Sequence, residues 1–290
     1  MSPQFLAVEM LNGLQYGMLL LLVTVALALI FGLMDVINFA HGALYALGAY
    51  VGVALVGVTK QFWLALVVAP LIVAAFGLVL EWALIRRLRG RPPIDTLLLT
   101  FGLAFALEAA IRLIWGSGSY SIEAPPELSG IVQLPVRVAY PKYRLFVIAI
   151  GVAVGALLVA FLQLTRLGLT VRGVSNDPEM VAVLGVNVPL VRTCVFALGT
   201  GMAGLAGVIV GPLVSAYPAM GIDIIIDAFV VLFVGGLGSL WGAVLAALLL
   251  GQASALGNAF IPDAAMVITF AVMGLVLLWR PRGLLGQGRL

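Results

Sequence analysis

The side chains of this sequence that could carry out chemistry are a few ionisable residues within long apolar segments. Glu108 and Arg112 stand four residues apart, Asp227 lies in a largely apolar stretch, and His41 is the only histidine. Ionisable groups inside a membrane are costly and commonly belong to ion or proton pathways. These residues would therefore suit a transporter that is coupled to an ion gradient.

Each of these residues also has a structural interpretation. Glu108 and Arg112 share one helix face and can neutralise each other, so we expect an ion pair near the outer membrane boundary. A single histidine such as His41 is more often a hydrogen-bonded packing element than a proton carrier. Asp227 could line a polar path, cap the start of its helix at the outer surface, or pair with another chain.

The sequence lacks the residues that would make the chain an ATPase. A phosphate-binding loop needs glycines followed by Lys and then Ser or Thr. The two lysines, Lys60 and Lys142, precede Gln61 and Tyr143 instead. The single cysteine, Cys194, excludes an intrachain disulfide and a thiolate metal site. We therefore expect no enzyme activity, no cofactor and no metal, and any ATP hydrolysis must come from a separate subunit.

The composition is that of a polytopic membrane protein. Of 290 residues, 63% are hydrophobic and 9% are charged, whereas about 25% are charged in a typical soluble domain. The apolar run from Leu11 to Leu33 is too long for the core of a signal peptide and is interpreted as a retained first span. The net charge of +3 is explained by arginines beside span ends, without a nucleic-acid partner.

The hydrophobic segments predict an all-α fold with eight to nine membrane segments. About 20 residues are needed to cross a bilayer. Two segments, 41–58 and 241–258, follow glycine-rich breaks directly and could be half-spans. The nine segments are 11–33, 41–58, 62–84, 95–115, 143–164, 192–213, 223–240, 241–258 and 262–280.

Arginine placement predicts the orientation of the spans. The loop from Arg86 to Arg91, the segment with Arg166 and Arg172, and the C-terminal tail should be cytoplasmic by the positive-inside rule. The polar loop at about 116–142 would then form a small extracytoplasmic cap. If all nine segments cross, the N-terminus lies outside; if one is re-entrant, it lies inside.

A glycine-rich pattern occurs twice, as Phe39-Ala-His-Gly-Ala-Leu-Tyr-Ala-Leu-Gly-Ala and Phe233-Val-Gly-Gly-Leu-Gly-Ser-Leu-Trp-Gly-Ala. It predicts two broken helices in two related halves of a single transmembrane domain, 1–290. A break at membrane depth must be packed in protein or line a wet cavity, so the pair indicates a transport path. Asp35 and Asn38 could satisfy amides that the first break frees. The predicted pathway residues are Asn38, Phe39, His41, Gly42, Asp227, Gly235 and Gly236.

The segment 172–189 predicts a short cytoplasmic helix, at about 176–186, with both ends specified. Asp177 can cap it, Pro178 suits its first position, Glu179 complements its dipole and Gly185 can stop it. The helix is too short to persist alone in water, and its apolar side chains must be covered. Either the protein's own span ends or a partner subunit could cover them.

The run Phe31-Gly-Leu-Met-Asp-Val-Ile-Asn-Phe-Ala-His-Gly, followed by Leu47-Gly-Ala-Tyr, resembles the signature of the LivH-type permeases of branched-chain amino acid ABC importers. The loop around Asp177, the stretch 235–243 and the ending Pro281-Arg-Gly-Leu-Leu-Gly resemble the family as well. Asp227 departs from it, because the family leads us to expect a basic residue there.

The resemblance implies an ABC importer permease fold and a set of partners. These are a second related permease, two cytoplasmic ATP-binding subunits and a periplasmic or lipid-anchored substrate-binding protein. The loop at 172–189 would be the coupling helix that contacts an ATPase. Its coupling residues would be Arg172, Asp177, Pro178, Glu179, Met180, Ala182, Leu184 and Gly185.

Together these features predict a permease subunit of an ATP-driven importer that moves branched-chain or other small hydrophobic amino acids across the bacterial inner membrane. Substrate selection would reside largely in the external binding protein. Two alternatives remain, a gradient-driven secondary transporter and a passive channel for a small solute such as urea. In the first, Glu108, Asp227 and His41 would be the coupling groups.

Overall fold

The computed structural model describes residues 3–34, 36–88, 90–134 and 138–286, with the side chains of 264–266 left out of the description. Asp35 lies outside the described residues. The helices are α1 Pro3–Met34, α2 Ala40–Thr59, α3 Phe62–Ala83, α4 Pro93–Trp115, α5 Lys142–Leu164, α6 Arg166–Asn176, α7 Pro178–Val183, α8 Val188–Val210, α9 Met220–Gly235, α10 Leu240–Phe260 and α11 Ala265–Trp279. Short 3-10 turns occupy Ile85–Leu88, Pro126–Leu128 and Pro262–Ala264.

The all-α polytopic fold is confirmed. In the described part of the chain, seven helices are long and apolar enough to cross a membrane, namely α1, α2, α3, α4, α5, α8 and α10. The helices α9 and α11 have 16 and 15 residues, fewer than the roughly 20 that a crossing needs. The predicted total of eight to nine segments is therefore not established. The suggestion that 41–58 and 241–258 are half-spans is not supported, because α2 and α10 have 20 and 21 residues.

The polar loop after α4 contains a small β-hairpin. Strands β1 (Ile131–Leu134) and β2 (Val138–Pro141) pair antiparallel, with Ile131 opposite Pro141 and Leu134 opposite Val138. The Tyr140 hydroxyl donates to Asn12 Oδ1 at 3.2 Å, and Arg144 donates to the same oxygen at 2.6 Å. The N-terminal part of α1 therefore lies at the same end of the protein as the hairpin.

The chain folds as two compact units, each assembled from separate stretches. The first comprises 1–25, 124–155 and 227–290, and the second comprises 26–123 and 156–226. In the first unit, α1 packs closely on α10: a Cβ on Gly251 would lie 2.5 Å from backbone atoms of Gly17. The small residues at this contact allow two helix backbones to approach each other.

In the second unit, α8 packs against both α2 and α3. A Cβ on Gly48 of α2 would lie 2.4 Å from the backbone of Gly204 of α8, and one on Gly77 of α3 would lie 2.2 Å from the Thr200 hydroxyl. The glycines of α8 and of the residue that follows it therefore permit close helix packing. Gly199, Gly201, Gly204, Gly207 and Gly211 would each bring an added Cβ within 3.4 Å of a neighbour.

Candidate functional site: helix breaks, cavity and exposed short helix

The first helix break separates α1, which ends at Met34, from α2, which begins at Ala40. Thr100 of α4 holds this break through one buried hydroxyl. Its Oγ1 accepts a hydrogen bond from the Phe39 amide at 3.3 Å and lies 3.0 Å from the Ile37 carbonyl oxygen, to which it can donate. The amide freed by the break is therefore satisfied by a neighbouring helix, and the Ile37 carbonyl shares the hydroxyl proton with the Leu97 carbonyl, which lies 3.1 Å from Oγ1.

Asn38 and His41 are completely buried at this break. The backbone amide of His41 donates to the Asn38 carbonyl at 3.3 Å. The Asn38 side-chain nitrogen and oxygen have no hydrogen-bond partner among the described residues. The expectation that the Asn38 side chain satisfies freed amides is therefore wrong. The Phe39 amide donates instead to Thr100, which belongs to a different helix.

Gly42, in the first turn of α2, allows the start of α9 to approach. A Cβ on Gly42 would lie only 2.0 Å from the carbonyl oxygen of Gly221. Beside this contact, a cavity of about 150 Å³ lies between α2, α4 and the start of α9. Its walls are almost entirely apolar and include Phe39, Ala43, Phe101, Phe105, Ile222 and Ile225.

Glu108 is the one charged residue among those that line this cavity. Its carboxylate pairs with the Arg112 guanidinium one turn further along α4, as the spacing predicts. The Glu108 side chain is 12% exposed and that of Arg112 is 52% exposed. The cavity thus combines an apolar interior with an ion pair at its edge.

The second break separates α9 from α10 and is built from glycines. Gly236 and Gly238 have φ angles of 100° and 78°, a conformation that favours glycine. Gly235 and Gly242 face each other so closely that a Cβ on Gly242 would lie 2.0 Å from the Gly235 carbonyl oxygen. Ser239 then starts α10 by accepting a hydrogen bond from the Gly242 amide at 3.1 Å.

The C-terminal tail caps this second break. The amides of Leu284 and Leu285 donate to the carbonyls of Val234 and Gly235 at 2.8 and 3.1 Å. The final carbonyls of a helix need such outside partners. Because the tail directly follows α11, the second break lies near the end of α11 at Trp279.

Asp227 lies in the second turn of α9 and accepts a hydrogen bond from the Tyr16 hydroxyl of α1 at 2.6 Å. It therefore does not cap the start of its helix, which begins at Met220. In the loop before α9, the Tyr217 hydroxyl donates to Asp223 at 2.6 Å. Burial, followed by this hydrogen bond, raises the pKa of Tyr217 to about 12, so the hydroxyl keeps its proton at neutral pH.

The short helix α7 has the predicted ends. Asp177 Oδ1 accepts from the Met180 amide at 2.9 Å, and Pro178 occupies the first helical position. Gly185 follows with a φ of 85°. Arg172 belongs to the preceding helix α6 rather than to α7.

The apolar side of α7 is not covered by the described part of the chain. Met180, Val183 and Leu184 are 58%, 82% and 75% exposed, and no residue of α7 is buried. Packing against the protein's own helices half-buries Val181 beside Gly173 but leaves these three side chains uncovered. The helix projects as an uncovered apolar surface, which we call the α7 knob (Pro178–Leu184).

The α7 knob is connected to the first helix break. Ser175, near the end of α6, donates a hydrogen bond to the carbonyl of Gly32, near the end of α1. Gly173 packs against Val181 of α7: a Cβ added to Gly173 would lie 3.2 Å from a methyl carbon of the Val181 side chain. A displacement of α7 can therefore reach the end of α1 through one short helix.

The predicted pathway residues fall into two groups. Asn38, Phe39, His41 and Gly42 belong to the second unit, while Asp227, Gly235 and Gly236 belong to the first. Among the former, only Phe39 lines the described cavity. Their role in a pathway stays a prediction.

Sequence reasoning missed several partners of these sites. Ser175, Tyr16 and the tail amides of Leu284 and Leu285 belong to this group, because nothing in the sequence marks what they contact. The cavity face of α4 did leave a signal: Phe101, Phe105 and Glu108, which line the cavity, recur at helical spacing.

Comparison with known proteins gives the family. A family model described as "Branched-chain amino acid transport system / permease component" matches residues 9–277. The permease protein BraD of Pseudomonas aeruginosa, named for high-affinity branched-chain amino acid transport, is 31% identical over 96% of this chain and 95% of its own. The permease protein LivH of Escherichia coli, named for the same transport system, is 29% identical over 99% and 98%. The probable branched-chain amino acid permease LivH of Methanocaldococcus jannaschii is 28% identical over 93% and 90%. No solved structure matches the chain significantly. The chain is a multi-pass membrane protein that belongs to the family of permease components of branched-chain amino acid transport systems.

Proposed function

We propose that this chain is one of two membrane-spanning subunits of an ATP-driven importer for branched-chain or other small hydrophobic amino acids. Its partners are a second related permease, two cytoplasmic ATP-binding subunits and an external substrate-binding protein. The whole chain, 1–290, acts as one permease domain and does no covalent chemistry. The names of its relatives and the match to the family model support this assignment.

The observation that carries the proposal is the α7 knob. A helix of six residues is not stable on its own in water, yet its ends are specified and its apolar side chains are exposed. Burying one Leu or Met side chain contributes about 1.5 to 3 kcal/mol. An exposed apolar surface of this kind on a membrane protein fits into a groove of a soluble partner. Because the chain has no phosphate-binding loop of its own, an ATP-driven importer needs an ATPase as that partner.

Motion of the ATPases would reach the membrane through α6. When the ATPases close, they push on the α7 knob, and α6 transmits the push through Ser175 to the end of α1 at Gly32. The first break, between Met34 and Ala40, then changes its angle. Opening and closing of the two breaks would expose the path alternately to the two sides of the membrane.

Arginine placement supports an orientation with α7 in the cytoplasm of a bacterial inner membrane. Arg86, Arg87 and Arg91 follow α3, and Arg166 and Arg172 lie in α6, as the positive-inside rule requires of cytoplasmic segments. The hairpin at 131–141 and the N-terminal end of α1 then lie outside. The coupling helix at 176–186 and the extracytoplasmic loop at 116–142 keep the roles given above.

The test is capture of the ATP-binding subunits by purified permease in mild detergent. Met180→Asp and Leu184→Asp should each lower the amount of retained ATPase about tenfold or more. Each variant loses at least about 1.5 kcal/mol of the binding free energy that apolar burial contributes. Ile131→Asp is the matched control, since Ile131 is 61% exposed on the opposite, extracytoplasmic hairpin. It should retain the ATPase fully.

Transport in proteoliposomes separates the alternatives. Under our proposal, uptake requires ATP and all partners, and Leu184→Asp uncouples ATP hydrolysis from uptake. Uptake by this chain alone, driven by an ion gradient or by the solute gradient itself, would contradict the proposal and favour a secondary transporter or a channel.

A further inference from the structure

We infer that the cavity between α2, α4 and the start of α9 is a binding site for a zwitterionic aliphatic amino acid, with the side chain in the apolar interior and the charged backbone groups on the Glu108–Arg112 pair. This inference rests on the proposed function, because it locates the substrate of that function within this chain.

The interior suits an aliphatic group by size and by chemistry. The cavity volume is about 150 Å³, and a cavity of about this size lined by Leu, Ile and Phe stays dry and holds a guest the size of benzene. The isobutyl group of leucine is smaller than benzene. Phe39 and Phe101 form one wall, with ring centroids 5.5 Å apart and nearly perpendicular planes.

The edge of the cavity suits a zwitterion. Glu108 can accept hydrogen bonds from an ammonium group, and the half-exposed Arg112 can donate two parallel hydrogen bonds to a carboxylate. In the structure the two side chains pair with each other. A bound amino acid would insert between them and replace one ion pair with two.

The height of the cavity along α4 suits a transport site. The 23 residues of α4 span about 34 Å, and Ala104, which lines the cavity, is the middle residue of the helix. Substrate sites in many transporters lie near the membrane midplane. A cavity for a lipid chain would not need a carboxylate in its lining, because an ionisable group within a membrane span is costly.

The experiment measures equilibrium binding of radiolabelled leucine and alanine to the purified membrane and ATPase subunits, without the external binding protein. Ala104→Val fills the cavity with two methyl groups and should weaken leucine binding about tenfold, with a smaller effect on alanine. Ala106→Val is the matched control, because Ala106 is exposed on the same helix outside the cavity lining. It should leave both affinities unchanged.

A second variant tests the charged edge. Glu108→Gln keeps the shape of the side chain and removes its charge. It should weaken the binding of leucine and of alanine equally, by about tenfold, since both carry the ammonium group.

Thermal midpoints in detergent establish that each variant is folded. If Ala104→Val is unfolded, Ala46→Val on the α2 wall takes its place.

Three results would overturn the inference. They are the absence of leucine binding to the wild-type assembly, equal losses for leucine and alanine in Ala104→Val, and full binding in Glu108→Gln. The second result would indicate an occupant other than the substrate side chain, such as a lipid chain. Each of these leaves the proposed function standing if ATP-dependent uptake persists in complete proteoliposomes, so the two failures are distinguishable.

Discussion

The Tyr16 hydroxyl donates a hydrogen bond to the Asp227 carboxylate across 211 residues of sequence, with 2.6 Å between the two oxygens. Tyr16→Phe removes this hydrogen bond, and a typical intramolecular hydrogen bond contributes about 0.5 to 1.5 kcal/mol. We expect a lower thermal midpoint of the purified protein. Tyr50→Phe is the control, because the buried Tyr50 hydroxyl has no partner in the described part of the chain; its removal should be neutral or slightly stabilising. Equal effects of the two changes would show that the Tyr16 hydrogen bond contributes nothing.

The first break provides a second matched pair of variants, Thr100→Val and Thr24→Val. Thr100→Val is close in shape but removes the hydroxyl that serves Phe39 and Ile37, and it should cost about 1 to 3 kcal/mol. Thr24 is equally buried, and its hydroxyl has no partner among the described residues, so Thr24→Val should not destabilise. Denaturation in detergent, monitored by tryptophan fluorescence, measures both. A stable Thr100→Val protein would mean that the break does not depend on α4.

The cap on the second break predicts that one methyl group added at Gly283 lowers the stability of the protein. Gly283 has a φ of 80°, and a Cβ there would lie 2.5 Å from the Gly236 nitrogen. Gly283→Ala should therefore destabilise the protein by about 1 to 3 kcal/mol. Gly274→Ala, in α11, meets no atom within 4 Å and should be neutral or stabilising. The comparison of thermal midpoints would contradict the cap if the two variants behaved alike.

The start of α7 can be tested with a conservative rescue. Asp177→Ala removes the oxygen that accepts from the Met180 amide, which costs about 1 kcal/mol of helix stability. The permease should then bind its ATP-binding subunit about fivefold more weakly. Asp177→Asn keeps an acceptor oxygen and should restore binding. If Asp177→Asn is as weak as Asp177→Ala, the charge matters and the cap does not.

The sequence predicts local features of this protein well and distant contacts poorly. The ends of α7 follow from Asp177, Pro178 and Gly185, because capping depends on residues within one or two turns. The Glu108–Arg112 pair follows from helical spacing in the same way. The partner of Asp227 could not be predicted, because no local pattern connects it to Tyr16.

Helix lengths were harder to predict than helix positions. Apolar character marks the run from Leu11 to Leu33, but α1 begins at Pro3, because a helix can continue beyond its membrane-embedded part. The second break lies within its glycine-rich pattern, whereas the first precedes its pattern, because α2 already begins at Ala40. The tail contacts with Val234 and Gly235 could not be predicted, because they connect positions about fifty residues apart.

The cap formed by Leu284 and Leu285 has a consequence for biosynthesis. These two residues follow α9, α10 and α11 in the chain, so all three helices are synthesised before the carbonyls at the α9–α10 junction can be paired. A chain truncated after Trp279 would keep the helices α1 to α11 and would lack the two hydrogen bonds that the tail donates to this junction.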